Sequence, residues 1–402
     1  MGALECFFAF LAMSGLLYFD HNATTPIDPR VRDAMLPWLE NGFGNPSSVY
    51  SLGRRAASAL QTAREQVAAL VGADPGEIIF NSCGTESTNT AILSALAIDP
   101  DRRHIITSSV EHSATIKLCE HLATRGYEIT WLPVEKDGTL DEERLLAAIT
   151  ADTAVISLLW ANNETGILFP VEKIARIAGE KRIPLHLDAV QAAGKVPINL
   201  SSLNAQYVSL SAHKLYAPKG VGALYVNRRA RYTPLFRGSQ EEGRRGGTQN
   251  VASIAAFGKA AELALEALPE APARLGALRD GFERTLLALD GVRRNGAQEP
   301  RLPNTSNLSF EGVEAETALL LFDQEGLCCS AGSACSSGSV NPSHVLTAMG
   351  LSRDEARASL RFSLGKTTTE ADIDRALEII PRVVSKLRAE RSDGALVRTA
   401  VS

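Results

Sequence analysis

IPLHLDAVQAAGKVPINLSSLNAQYVSLSAHKLYAPKG, residues Ile183–Gly220, decides the fold. It contains two short apolar runs, Pro184–Leu187 and Tyr207–Leu210. Each gives way at once to polar chemistry: Asp188-Ala-Val-Gln191 after the first, Ser211-Ala-His213-Lys214 after the second. Short apolar runs bounded by polar clusters predict buried strands. Working outward, comparable runs occur at Glu77–Phe80, His104–Thr107, Glu128–Pro133, Ala154–Trp160 and Gly222–Val226. Helical patterns lie between the earlier ones, at Glu86–Leu96, Ala114–Ala123, Glu142–Ile149 and Val171–Ala178, the last closed by Gly179. This alternation predicts an α/β fold with a mostly parallel central sheet covered on both faces. The last three runs follow one another closely, which predicts an irregular or antiparallel end to the sheet.

A shift to Ala, Pro and Glu around Leu268–Leu275 marks a boundary after a long helix. Beyond it, Leu278–Leu289, Asn307–Phe310, Leu319–Glu325, Leu360–Leu364 and Ile373–Leu387 read as a smaller α+β domain. The expected division is an apolar extension over 1–17, a large domain over 18–265, a small domain over 266–387 and a tail over 388–402. The first residues of the large domain are expected to pack with the small one.

Composition narrows the function classes. The 402 residues carry 41 Lys plus Arg against 46 Asp plus Glu, a formal charge of -5, with the basic residues dispersed. That gives no electrostatic case for a nucleic-acid partner. The cysteines, Cys6, Cys83, Cys119, Cys328, Cys329 and Cys335, are too few for a disulfide framework and show no zinc-ligand spacing. No metal is expected, and reduced thiols suit the cytoplasm. Ala3–Leu17 is strongly apolar, yet shorter than the roughly 20 residues that span a bilayer, and Glu5 interrupts it. No positive charge precedes it, so it does not read as a signal peptide. We expect no membrane association, with Met13 as the natural start.

Ligands of open parallel sheets bind beyond the carboxyl ends of the strands. Gly84-Thr85 opens a helix there, presenting N–H groups, a hydroxyl and a dipole end that suit a phosphate. Thr85 as a plain helix cap is the alternative. His112 follows another strand and would equally serve as a cap. Asn162–Gly166 reads as a polar turn. Asp188 alone would cap a helix, and Lys214 alone would sit on the surface. Together they match the needs of pyridoxal 5'-phosphate. A lysine must bond to the cofactor's aldehyde carbon, which a desolvated pocket encourages. A carboxylate must keep the pyridine nitrogen protonated so that the ring accepts electrons.

At this point the chain resembles the aminotransferase class V group of fold-type I pyridoxal-phosphate enzymes, and most closely the class I cysteine desulfurases of the NifS/IscS kind. The matching stretches run from Tyr18 to about Leu387: YFDHNATT (Tyr18–Thr25), FGNPSS (Phe43–Ser48), SCGTES (Ser82–Ser87), VEH (Val110–His112), WANNETG (Trp160–Gly166), HLDAVQ (His186–Gln191), SAHKLYAPKG (Ser211–Gly220), RRGGTQN (Arg244–Asn250), GSACSSGS (Gly332–Ser339) and RFSLG (Arg361–Gly365). The resemblance implies that L-cysteine is converted to L-alanine. It gives Lys214 the cofactor's aldehyde and the Cα proton, Asp188 the pyridine nitrogen, and His112 the ring face and a share in proton transfer. Gln191 with Asn163 would contact the ring hydroxyl or the substrate. Gly84, Thr85, Ser211 and His213 would hold the phosphate, with Thr248 reaching it from a partner subunit of a homodimer. Arg361 would bind the substrate carboxylate.

Cys335 sits in SAGSACSSGS (Ser330–Ser339), where small residues cannot bury a thiol well. The family assigns it the attack on the substrate sulfur, leaving a persulfide that an acceptor protein collects for iron–sulfur cluster assembly. The thiolate is the reactive form. The Trp160–Gly166, Lys195–Ile198 and Ser211–Gly220 stretches lie nearer the nitrogen-fixation branch. Cys328 and Cys329 depart from the family, which has small residues there; packing is the plain reading and a sulfur relay the alternative. Cys83 reads as a packed residue beside the phosphate, Cys119 as core, and His21 has no assigned role. An aminotransferase or selenocysteine lyase of the same fold, and an inactive scaffold, are the rival readings.

Overall fold

The computed structural model describes residues 15–331 and 342–400, the side chains of 392–400 excepted. It opens with strand β1 (Leu17–Tyr18) and continues through β2 (Ile78–Asn81), β3 (His104–Ser108), β4 (Glu128–Leu132), β5 (Thr153–Leu159), β6 (Leu185–Asp188), β7 (Tyr207–Ser211) and β8 (Gly222–Val226). The later part adds β9 (Val292–Arg294), β10 (Thr305–Phe310), β11 (Leu327–Cys328) and β12 (Ser359–Ser363).

Seven strands form the central sheet in the order β2-β8-β7-β6-β5-β3-β4. The pairs from β4 through β7 are parallel, and β8 runs antiparallel to both its neighbours. The antiparallel strand is therefore one position in from the edge, because β2 closes the sheet beyond it. β5 reads TAVISLL and is buried along its whole length, as a strand covered on both faces must be. Helices Gly84–Ile98, Ser113–Ala123 and Val171–Glu180 fill the crossovers. The last of these carries Ile174, Ala175, Ile177 and Ala178 on its buried side.

Register puts the chemistry at one edge. Leu159 of β5 lies opposite Asp188 of β6, and Asp188 lies opposite Ser209 of β7. β5 and β6 thus end level, and β7 runs on past them to Ser211. β2, antiparallel to β8 and therefore running in the same direction as β7, brings Asn81, and with it Cys83 and Gly84, to the same edge.

After the helix Val251–Ala267, the next helix begins at Ala271, not Leu278, because Pro272 is tolerated in its first turn. A second apolar cluster gathers Phe282, Phe310, Phe322 and Phe362 with Ile379 and Ile380 of the helix Glu370–Ala400. Phe282 meets Phe362 edge-on, centroids 5.2 Å apart. β10 lies between β9 and β12, antiparallel to both, and β1 pairs in parallel with β11, so Leu17 faces Leu327.

Beside this cluster is a buried ion pair. Both guanidinium nitrogens of Arg301 reach the Glu283 carboxylate at 2.6 Å, and Ser306 Oγ donates to the same carboxylate. Arg301→Ala would strand a buried charge, and we expect it to cost about 3–5 kcal/mol. Chemical denaturation followed by circular dichroism measures this, with Arg301→Lys falling between parent and Ala.

Candidate active site

A cavity of about 310 Å³ opens where the strands end. Gly84, Thr85, His112, Asn163, Asp188, Gln191, Ser211, His213, Lys214 and Arg361 all line it. Thr248 does not: it is exposed, between Gly247 and the helix Val251–Ala267. Cys335 lies outside the described residues.

Lys214 stands on a single tight turn, Ala212–Lys214, directly after β7. Its ammonium donates to the carbonyls of Asn22 and Ala23 at 2.6 and 2.7 Å. Tyr216 follows in the left-handed region at φ 66, which a bulky residue adopts only when its surroundings hold it there. Here its N–H donates to Thr25 Oγ1, its carbonyl accepts from Asp28, and its hydroxyl accepts from Lys366 N. The turn that aims Lys214 is thereby clamped from two sides.

Asp188 ends β6 in a buried position. One carboxylate oxygen accepts from Val190 N at 3.0 Å. Burial raises its pKa, opposed by His112, the Val190 N–H and Lys214. His112 caps the helix Ser113–Ala123, its Nδ1 accepting from Ala114 N at 3.2 Å. The capping role and a place on the cavity wall coexist in one residue. In the neutral ring that bond leaves the proton on Nε2.

The helix Gly84–Ile98 is capped by Cys83, whose Sγ accepts from Glu86 N, so Thr85 is not the cap. A Cβ at Gly84 would approach Val190 to 2.8 Å, and only glycine lets the helix start come this close. Burial, then the charge of Lys214, pulls His213 down to about 3. Its Nδ1 shares a hydrogen bond with Thr24 Oγ1.

Arg361 is fully buried. It pairs with Asp20 at 2.6 Å and donates to Asn163 O at 3.1 Å. Its Nε has no hydrogen-bond partner among the described residues. Asn22 joins the two clusters, donating to Asn163 O and Thr305 Oγ1 while its carbonyl accepts from Lys214 and Gln191. Nothing local in the sequence marks Asn22, Ala23 or Asp20 for a role at the site. Their motif is visible, but their partners lie far along the chain, 191 and 192 residues away for Lys214 and 341 for Arg361.

Against known proteins, the aminotransferase class-V family profile matches residues 17–376. The cysteine desulfurase of Trichormus azollae is 49% identical over 376 residues, 93% of this chain and 94% of that one. Cysteine desulfurase NifS of Azotobacter vinelandii is 49% identical over 375 residues, 92% of this chain and 93% of that one. A solved NifS-like protein superimposes with a TM-score of 0.85 at 36% identity, covering 94% of this chain and 99% of that one.

The chain belongs to the aminotransferase class-V family.

As a class-V member it is a pyridoxal-phosphate-dependent enzyme of the fold-type I architecture. The cavity fits that cofactor on its own chemistry. It offers a buried acid for a ring cation, an amine on the neighbouring strand end, and a glycine-opened helix start for a phosphate. A protonated ring nitrogen would relieve the cost of keeping Asp188 ionised. Among the described residues no group of His, Cys, Asp and Glu is placed to hold a metal, and no helix is long and apolar enough to cross a membrane.

The other thiols are placed as follows. Cys119 is buried in the helix Ser113–Ala123. Cys329 packs on the second apolar cluster, and burial holds its thiol well above the usual range. Cys328 ends β11, with its thiol also raised by burial. Neither favours the thiolate that a sulfur relay needs. His21 is buried against Gly365 and Tyr216, where it fills space.

Behind His112, Glu111 is wholly buried. One oxygen accepts from Ser108 Oγ and Leu159 N, and the other has no hydrogen-bond partner among the described residues. Burial pushes its carboxyl up to about 8. A folded pKa above the unfolded value of about 4.3 favours the fold at low pH. That contribution is complete below the unfolded pKa and lost as pH rises to about 8. Glu111→Gln should therefore flatten the fall in Tm between about pH 5 and about pH 8. Thermal melts across that range decide it; an unchanged slope would contradict the assignment.

Proposed function

We propose that this chain is a cysteine desulfurase that converts L-cysteine to L-alanine and passes the sulfur, by way of Cys335, to an acceptor protein for iron–sulfur cluster assembly. The observation that carries the reading is the pairing of Asp188 and Lys214 at adjacent strand ends on one cavity, with Arg361 on its wall. The names of the relatives at 49% identity support the choice of substrate.

In this reading Lys214 holds the cofactor's aldehyde carbon and later carries the substrate Cα proton. Asp188 keeps the ring nitrogen protonated. Gln191 and Asn163 face the ring hydroxyl or the substrate, and His112 lies on the ring face and assists proton transfer. Gly84, Thr85, Ser211 and His213 hold the phosphate, and Thr248, exposed on this chain, completes a partner subunit's site in a homodimer. Arg361 takes the substrate carboxylate, for which its unpartnered Nε is available beside the Asp20 pair. Bound here, the cofactor supplies an electron sink for the pair released at Cα. The Cys335 thiolate then attacks the substrate sulfur: an S–S bond forms and the C–S bond breaks with its electron pair left on the carbon fragment, Cβ takes up a proton, Lys214 returns one to Cα, and the fragment leaves as alanine.

The domain division at 265/266 accompanies this reading, with Arg361 and Cys335 brought to the cofactor from the smaller unit. The test is a joint count of alanine and sulfide from L-cysteine, with and without candidate scaffold proteins. Equal amounts, accelerated by one scaffold, are expected. Pyruvate or an amino-group transfer product in place of alanine would refute the reading.

A further inference from the structure

Lys195 lies four residues after Gln191 on the turn that leaves β6. Its ammonium donates to Gln191 Oε1 at 2.8 Å, while Gln191 Nε2 donates to the carbonyl of Asn22 at 2.9 Å. A side-chain amide has nearly the same shape either way round, so its orientation is set by its partners. The Asn22 carbonyl only accepts and so fixes Nε2 on its side; Lys195 Nζ, whose pKa burial draws down to about 7, meets Oε1 as a donor. They select the same orientation from opposite sides.

The turn is built to deliver this contact. Ala192 and Ala193 both donate to Ala189 O, and Lys195 N donates to Ala192 O. Gly194 between them has φ 71, and a Cβ there would lie 2.5 Å from Leu215. Glycine at 194 therefore folds Lys195 back over Gln191. Gln191 lines the cavity and Lys195 does not.

We propose that Lys195 is a positioning residue for the reaction: it locks the Gln191 amide with its nitrogen toward Asn22 and the cavity, so that the remaining N–H is aimed at the ring oxygen of the cofactor. This rests on the reading of Gln191 given above. Lys214, Arg361, His21 and His213 are the other titratable or charged groups that act on Lys195. Its own charge must therefore be separated from its effect through Gln191.

A pH titration of the visible absorption band of the cofactor-loaded enzyme does this in four proteins: parent, Lys195→Met, Gln191→Leu and the double variant. Losing a donor to the ring oxygen raises that oxygen's basicity, so the protonated, longer-wavelength form persists to higher pH. Lys195→Met is expected to raise the midpoint by about half a pH unit or more. Added to Gln191→Leu, it should shift the midpoint by less than half as much, since the two act as a unit. An unchanged midpoint in Lys195→Met, or an equal shift in both backgrounds, overturns the proposal. If Lys195→Met does not fold, Lys195→Gln, neutral and shorter, enters the same cycle with the same criteria. A parent without the band, or a band that survives Lys214→Ala, would sink the cofactor-site reading itself.

Discussion

Lys214→Ala should abolish the visible absorption of the loaded enzyme and lower turnover of L-cysteine by roughly four orders of magnitude. In the proposed roles two functions are lost together, the covalent hold on the cofactor and the proton carrier at Cα. In the cofactor-free protein a structural effect accompanies them, because the Asn22 and Ala23 carbonyls lose a charged donor. That loss is worth about 1–3 kcal/mol. Lys214→Arg separates the two. A guanidinium can still donate to both carbonyls but does not form the bond to the aldehyde. The Arg variant is expected to keep the parental Tm and to show neither band nor turnover. If Lys214→Arg retained activity, Lys214 would be a structural cation and the site would need another nucleophile.

Cys335→Ala carries the second large effect, at a different step. The cofactor site lacks no member in this variant, so the visible band and its change on adding L-cysteine should persist. Removal of the attacking thiol should cut sulfur release by roughly three orders of magnitude. Stopped-flow absorbance and a sulfide assay measure the two halves on one sample. An aminotransferase of the same fold has no use for that thiol and would lose nothing. A variant that still released sulfide at the parental rate would remove Cys335 from the mechanism.

Much of this site was legible because parallel sheets concentrate chemistry at strand ends. Asp188, Ser211, Lys214 and Gly84 follow apolar runs directly, and register alone brings them to one edge. What stayed hidden depends on approach between distant segments. Asn22 touches Lys214 and Asn163 across a large part of the chain, and nothing local to the Tyr18–Thr25 stretch announces it. The Asp20–Arg361 pair has the same origin. Lys195 is near Gln191 in sequence, yet the contact needs Gly194 in a left-handed conformation. Tyr216 shows the converse, a residue type that gives no hint of its φ of 66 because the clamp around it is tertiary. The helix cap at Cys83 is hard to read from sequence because a thiol is a weak acceptor and an unusual choice beside Gly84 and Thr85. At the edge of the sheet, the close spacing of three runs pointed to an antiparallel strand. That β2 returns to cover β8 follows only from long-range pairing.

In the proposed reaction, sulfur leaves cysteine and settles on Cys335 of this chain. A single turnover without reductant or acceptor, followed by alkylation and peptide mass analysis, tests it directly. One alanine per active site and a gain of one sulfur atom on the peptide that carries Cys335 are expected. Alanine formed with no added sulfur on that peptide, or sulfur found on Cys328 or Cys329 instead, would contradict it.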